Sequence, residues 1–245
     1  MGMKKSEEGL KNQEYLECER LWIFLLLTMA GGYFGAYTYI LRGGVFCNAQ
    51  TANFIFMGMR LGTGDFSGAA YYLIPLAAYF MGVVFSEILP NKVKWKFHIR
   101  WDTLLVGFEI LVAFGLGFLP NECPFQVSQI ALTFIAAMQY NTFRQAERIP
   151  MATVFCTNNL RQSAIHTVKW FRTHDKGALI KTFCYLAVLA AFLVGAVLSS
   201  IACHLFNDSR AVWGAILFLA VIFIALLHAD LTKEKTQMDH VPAGH

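Results

Sequence analysis

Asn48, Gln50, Thr51 and Asn53 fall within six residues of GVFCNAQTANFIFMG, a stretch flanked by apolar sequence on both sides. Their amide and hydroxyl groups both donate and accept hydrogen bonds. A second cluster of the same character, Thr157, Asn158 and Asn159, sits in VFCTNNL. Thr51-Ala52-Asn53 and Thr157-Asn158-Asn159 lie 106 residues apart. Polar backbone and side chains at membrane depth survive only where protein or a water-filled cavity satisfies them. Two polar interruptions at matching places in two halves of a transporter point to a solute or ion site between them. A helix that starts at such a break adds partial positive charge at its N-terminus, which suits anions. The competing reading is that these groups hydrogen-bond neighbouring helices and act as glue.

Glu109, in DTLLVGFEILVAFGLGF, is the one acid well inside a clear apolar run. An ionisable group inside the hydrocarbon is costly and is a functional candidate by default. Glu109 could carry a proton or bind a cation, or it could form a structural ion pair, for which Arg161 is the partner to test. Glu87, just before Pro90, reads as an interfacial residue. His204, His228 and Asp230 lie near helix ends and read as solvated. Arg60 and His166 read as side chains that reach back to the surface. Gly31-Gly32, followed by Gly35 and Ala36, gives the first helix a face of small residues. That face either serves close packing alone or leaves room for the first polar segment to fold back on it. There is no HExxH, GxSxG or P-loop pattern, and the histidines form no metal cluster. No catalytic residue, metal site or cofactor is expected. An intramembrane hydrolase using Cys47 or Cys156 has no base beside either residue in the sequence.

The elements that must position these residues follow from composition. The chain of 245 residues is 56% hydrophobic and 15% charged, with a mean hydropathy of +0.48. Soluble domains are about 25% charged. The apolar residues gather in runs near the roughly 20 needed to span a bilayer as helix. Short alternating strands of the kind a membrane barrel needs are absent. The net charge of +4 reflects loop lysines and arginines beside apolar runs, not a nucleic-acid surface. The six cysteines show no CxxC or zinc spacing and imply no disulfide framework.

Clear membrane segments are expected at about 21–41, 68–89, 102–119, 127–146, 178–205 and 211–230. Two more, at about 44–62 and 151–170, have polar centres. Lys and Arg gather on the cytoplasmic side of membrane proteins. If only the clear segments cross and the N-terminus is inside, Arg42, Arg60 and Arg210 alone among the 20 basic residues are left outside. If all eight segments cross, NKVKWKFHIR moves outside and most of that asymmetry is lost. The six-crossing arrangement is therefore preferred, with 44–62 and 151–170 each entering and leaving on one side. The 106-residue offset also carries the other clear segments of the first half onto those of the second, and Arg42 onto Arg148. Three crossings per half make the second half inverted. The expected fold is an all-α polytopic membrane bundle: six crossings, two polar re-entrant or half-length helices, and an inverted repeat of 21–119 and 127–231. Residues 1–20 and 232–245 read as polar tails, the first of them not a cleaved signal peptide. Trp22, Trp95, Trp101, Trp170 and Trp213 fall near the expected interfaces.

GGYFGAYTYILRGGVFCNAQTANF resembles the first signature of the YoaK family, bacterial membrane proteins of unassigned biochemical function. AMQYNTFRQAERIPMATVFCTNNL resembles its second. The resemblance covers about residues 20 to 230. It places Thr51-Ala52-Asn53 and Thr157-Asn158-Asn159 on the family's two T-G-N-like triplets and Gln139 on its Gln. Gly35 stands where an Asp is usual, and Ala52 and Asn158 replace the triplet glycines. The resemblance implies a bacterial inner-membrane location, and the charge pattern puts both termini in the cytoplasm. The functional expectation is a small-solute or ion transporter or channel. Its site would use Asn48, Gln50, Thr51, Asn53, Gln139, Thr157, Asn158 and Asn159, with Glu109 and Arg161 coupling a proton or ion. The alternative is a non-transporting scaffold or sensor that binds a partner, or lipid through KVKWKFHIR. The expected partners are the bilayer and an unknown small solute or ion. The sequence leaves solute, coupling ion and oligomeric state open.

Overall fold

The apolar runs become helices because one segment in a bilayer can satisfy its own backbone only as a helix. The computed structural model describes residues 15–93, 99–120 and 122–235, without the side chains of 91–93. Most of both polar tails, Trp95 and the core of the KVKWKFHIR patch lie outside the described residues. The helices are α1 (Leu21–Leu41), α2 (Gln50–Gly62), α3 (Phe66–Tyr71), α4 (Leu73–Val93), α5 (Trp101–Leu116), α6 (Phe125–Thr142), α7 (Cys156–Thr173), α8 (Lys176–Phe206) and α9 (Gly214–Leu231). Short 3-10 turns cover Glu17–Glu19 and Ser209–Trp213.

Among the described residues, four stretches are long and apolar enough to cross a membrane: Leu21–Leu41, Phe66–Pro90, Lys176–Phe206 and Ser209–Leu231. α5 falls short of that length with 16 residues. α6 falls short in apolarity, because it buries Ser128, Gln129, Thr133 and Gln139. Large apolar side chains cover the outside of the bundle, among them Leu205 at 75% and Leu217 at 70% exposure. So extensive an apolar exterior needs lipid against it.

Two local features differ from the sequence reading. The segment expected at 68–89 is interrupted near its start, with α3 ending at Tyr71 and α4 starting at Leu73. The segment expected at 127–146 stops at Thr142, and a hairpin follows. Its strands β1 (Gln145–Ala146) and β2 (Ile149–Pro150) pair antiparallel. Glu147 and Arg148 between them both take positive φ, at 47° and 64°, as a tight two-residue hairpin turn requires. The Glu147 amide donates to Glu19 O at 2.8 Å. Its carboxylate accepts from Leu21 N at 3.3 Å, next to the start of α1.

α1 is the hub of the packing, with Tyr33, Tyr37, Phe24, Phe34, Ile23 and Leu27 fully buried. α1 packs along α8, α6 along α4, and α5 along α9. Glycines allow these contacts to become backbone to backbone. A Cβ at Gly32 would run into the Phe192 carbonyl, and one at Gly195 into the Met29 carbonyl. In the α4–α6 pair a Cβ at Gly82 would meet the Phe134 carbonyl. Small residues are the usual means by which membrane helices approach this closely.

The two ends of the bundle are polar clusters of different makeup. At one end Arg100 faces Asp230 at 3.6 Å and Glu234 at 3.4 Å. Asp230 also accepts from Arg100 N at 3.0 Å and Thr103 Oγ1 at 2.7 Å. Glu234 accepts from Glu17 N at 2.6 Å, so the first and last described segments meet here. Asp230 is 2% exposed, which corrects its reading as solvated: α5 closes over it. Glu87, by contrast, lies at the surface, where Arg144 binds it. At the opposite end Arg42, Tyr71, Gln129 and Ser209 converge from the ends of four different elements.

Candidate functional site

Both polar stretches begin as loop and continue as unbroken helix. Residues 44–49 and 151–155 run as loops, and α2 and α7 start directly after them. Neither helix has a side-chain cap at its N-terminus. Buried loop backbone needs partners, and one asparagine in each loop–helix segment supplies some of them. Asn53 Nδ2 donates to Phe46 O at 2.9 Å and to Gln50 Oε1 at 3.0 Å. Asn159 Nδ2 donates to Ala152 O at 2.8 Å and Phe155 O at 3.1 Å, while its Oδ1 accepts from Ala152 N at 3.2 Å. Phe46 and Ala152 are themselves 106 residues apart. The same staple therefore holds each loop seven residues upstream of its asparagine.

The two loops meet on the small-residue face of α1. Asn48 Nδ2 donates to Gly31 O at 3.0 Å. A Cβ at Gly35 would come within 2.8 Å of both Asn48 amide atoms. From the other loop, Thr153 O lies 3.0 Å from where a Gly31 Cβ would stand. Gly31 and Gly35 thus make room for loop backbone and the Asn48 amide, beyond what helix packing alone needs. In the motif resemblance, position 35 is the Asp position, and here the Asn48 amide fills the space a side chain at 35 would enter. Cys47 N is tied to Thr38 Oγ1 of the same helix at 3.2 Å.

The expected site residues divide into two groups. Asn48, Asn53, Asn159 and Gln139 are buried, at 2%, 0%, 1% and 1% exposure. Their donors are spent on backbone carbonyls, Gln139 Nε2 reaching Leu27 O at 3.2 Å. Thr51, Thr157 and Asn158 are exposed, and Gln50 is half-buried with its amide on Cys47 O. The first group builds the loops, and the second presents polar side chains at the helix starts. Two buried oxygens beside the loops have no partner among the described residues: Asn53 Oδ1 and Thr153 Oγ1.

Glu109 is fully buried, and neither carboxylate oxygen has a hydrogen-bond partner among the described residues. Arg161 is exposed on α7, and no ion pair joins the two. α7 turns the Arg161 face outward. Thr153, Gln129 and Thr133 were missed in the sequence. All three are fully buried, and each has an unpartnered oxygen. The run Ser128-Gln129 followed by Thr133 on α6 was the available signal, since polar residues one turn apart in an apolar helix share a face.

Apolar helices of spanning length, a lipid-compatible exterior and internally satisfied polar breaks define a helical integral membrane protein. Residues 23–225 match the family model described as protein of unknown function DUF1275, and the chain belongs to that family. YoaK is a member of the same family, which supports the motif resemblance at family level. No curated protein and no solved structure matches the chain.

Proposed function

We propose that this protein moves a small solute or ion across the membrane through a polar site at mid-depth, between the starts of α2 and α7. The observation that supports the reading is the convergence on one face of α1 of two loops, each bound by an asparagine amide to the carbonyl seven residues upstream. The contacts at the two bundle ends fit six crossings by α1, α3–α4, α5, α6, α8 and α9, alternating in direction. α2, with 13 residues, then runs from mid-depth back to one end, and α7, with 18, runs from mid-depth to beyond the other. The swap of partners, α1 on α8 against α6 on α4, is what two inverted halves, 21–119 and 127–231, produce. The excess of Lys and Arg beside the Arg100 end argues that this end, with both termini, faces the cytoplasm of a bacterial inner membrane.

In this reading Gln50, Thr51, Thr157 and Asn158, with Asn53 Oδ1 and Thr153 Oγ1, contact the solute. Asn48, Asn159 and Gln139 position the loops. The positive ends of two half-helices favour an anionic or strongly hydrogen-bonding solute. Glu109 is the group for proton or cation coupling, without Arg161 as its partner. The test is stopped-flow light scattering of proteoliposomes challenged with small neutral and anionic solutes. The expected result is permeation above empty liposomes that falls in the Thr51→Val/Thr157→Val variant. Undiminished flux in that variant removes those hydroxyls from the mechanism.

One observation favours a second, non-transporting reading. The outer face of α7 carries a groove of about 610 Å³ lined by Ala164, Ile165, Val168, Lys169, Arg172 and Thr173. Apolar walls with basic residues at one end suit lipid headgroups or an acidic partner helix. A lack of permeation for every solute, with retained binding to anionic vesicles, would favour it.

A further inference from the structure

The groove on α7 holds its apolar and basic residues at different depths. α7 and α8 form an antiparallel pair, joined by a turn at His174, which takes φ 50°, and at Asp175, whose carboxylate accepts from Gly177 N at 2.9 Å. Thr167 Oγ1 meets Thr182 Oγ1 at 3.5 Å, and the His166 ring stacks on Tyr185 with centroids 5.8 Å apart. This register sets Lys169 and Arg172 beside the first two turns of α8, and Ala164 and Ile165 beside the stretch around Tyr185. α8 has 31 residues, which is about 46 Å of helix against about 30 Å of hydrocarbon. An ordinary tilt of about 20° does not absorb the excess, so one end of α8 stands among the headgroups. Lys176 and Lys181 mark that end, because no Lys, Arg, Asp or Glu follows them within α8.

Ala164, Ile165 and Val168 therefore wall the groove at the edge of the hydrocarbon, and Lys169, Arg172 and Thr173 close it at headgroup level. Trp170 and Phe171, with ring centroids 4.6 Å apart, set an aromatic pair at the same level, as membrane interfaces favour. Lys181 joins from α8, since its field and that of Lys169 both reach His166. Lys169, Arg172, Lys176 and Lys181 are all exposed. Asp175 lies 3.8 Å from Lys169, with both side chains about half exposed, and such a pair is weak. Glu147, whose field reaches the buried Cys184, is held on Leu21 N. Four cations against Asp175 leave a surplus of positive charge. We infer that this groove docks one anionic phospholipid of the bilayer. Its phosphate sits on Lys169 and Arg172, with Lys181 beside them, and the first methylenes of an acyl chain run along Ala164, Ile165 and Val168. Long basic side chains at this level draw anionic headgroups. A free anion would use the cations and leave the apolar wall bare, whereas a phospholipid carries its charge and its chains at the two depths the groove offers. The inference takes up the groove of the second reading and holds whether or not the protein moves a solute.

The test is native mass spectrometry of the full chain in non-ionic detergent, with phosphatidylglycerol or phosphatidylcholine of the same acyl chains added to the micelles. The expected result is one phosphatidylglycerol retained, about tenfold over phosphatidylcholine. Lys169→Gln/Arg172→Gln should abolish that preference. Lys233→Gln/Lys235→Gln removes the same charge from another exposed place and should leave it intact. Val168→Trp fills the groove without changing charge and should also release the lipid; Val168 is 56% exposed, so the fold tolerates the change. Equal retention of the two lipids would overturn the inference. So would equal losses in the two double variants, which would reduce the effect to general attraction between charges, or full retention in Val168→Trp. Displacement of the lipid by an equal concentration of inorganic phosphate would overturn it in favour of a free-anion site. Retention of an acidic amphipathic peptide and of no lipid would overturn it in favour of a partner helix. None of these readouts depends on flux, so this inference and the transport reading fail separately.

Discussion

Gly35→Ala probes the contact that seats the Asn48 loop on α1. Its Cβ would stand 2.8 Å from both Asn48 amide atoms and 3.1 Å from Asn48 Cγ, well inside ordinary contact. Asn48 must then leave Gly31 O, now 3.0 Å away, in a place where it is 2% exposed. Stranding a buried amide costs about 1–3 kcal/mol, and forcing an extra methyl into packed structure costs a similar amount. Ala in place of Gly within a helix returns about 1 kcal/mol. The net expectation is a loss of about 1–5 kcal/mol, read as the unfolding free energy in mixed micelles. The Asn48→Ala background decides the cause. With the amide gone, the same Gly35→Ala change should be neutral or slightly stabilising, so the double-mutant cycle should show a coupling of about 2 kcal/mol. If Gly35→Ala costs as much without Asn48 as with it, the glycine serves something other than the loop, and the site geometry argued above is wrong.

Other expectations follow from the same contacts. Glu109→Leu removes two unpartnered buried oxygens and should stabilise the fold by about 1–3 kcal/mol. A variant that melts higher yet loses flux would mark the acid as functional, and one that melts lower would reveal a partner. Gly195→Ala pushes α8 off the Met29 carbonyl of α1 and should cost about 1–3 kcal/mol in the same unfolding assay. Burial holds the Glu234 carboxyl above its ordinary value of 4.5, outweighing the Glu17 N–H and Arg100 that pull it down. The folded state therefore binds this proton more tightly than the unfolded one, and stability falls as pH rises from that ordinary value through the raised one. Amide exchange of Glu17–Glu19 should slow as pH drops through this window, after correction for intrinsic rates, and Glu234→Gln should flatten the response. A membrane-impermeant thiol reagent should spare Cys47, which is fully buried, and react with the half-buried Cys156; labelling of Cys47 would show that its loop opens.

The two polar interruptions were legible in the amino acids. Four hydrogen-bonding side chains between apolar runs had to be a break, because lipid offers backbone no partner. What Asn53 and Asn159 do there was not legible. A donor that staples its own loop and one that awaits a solute have the same composition, and only the distances to Phe46 O and Ala152 O separate them. The small face of α1 likewise supported two readings until Asn48 was found against Gly35. Arg42 reads from the sequence only as a basic residue on the outer side. Its burial, and the Gln129 amide on its main-chain carbonyl, depend on a residue distant in sequence.

Membrane class, helix content and the position of the polar interruptions belong to the amino acids alone, since they depend on transfer free energies that add along the chain. Which polar atoms find partners depends on contacts between residues far apart in sequence, and no local term encodes them. Glu109 without a partner, Asp230 locked under Arg100 and the meeting of both loops at Gly31 were decided only when the helices packed.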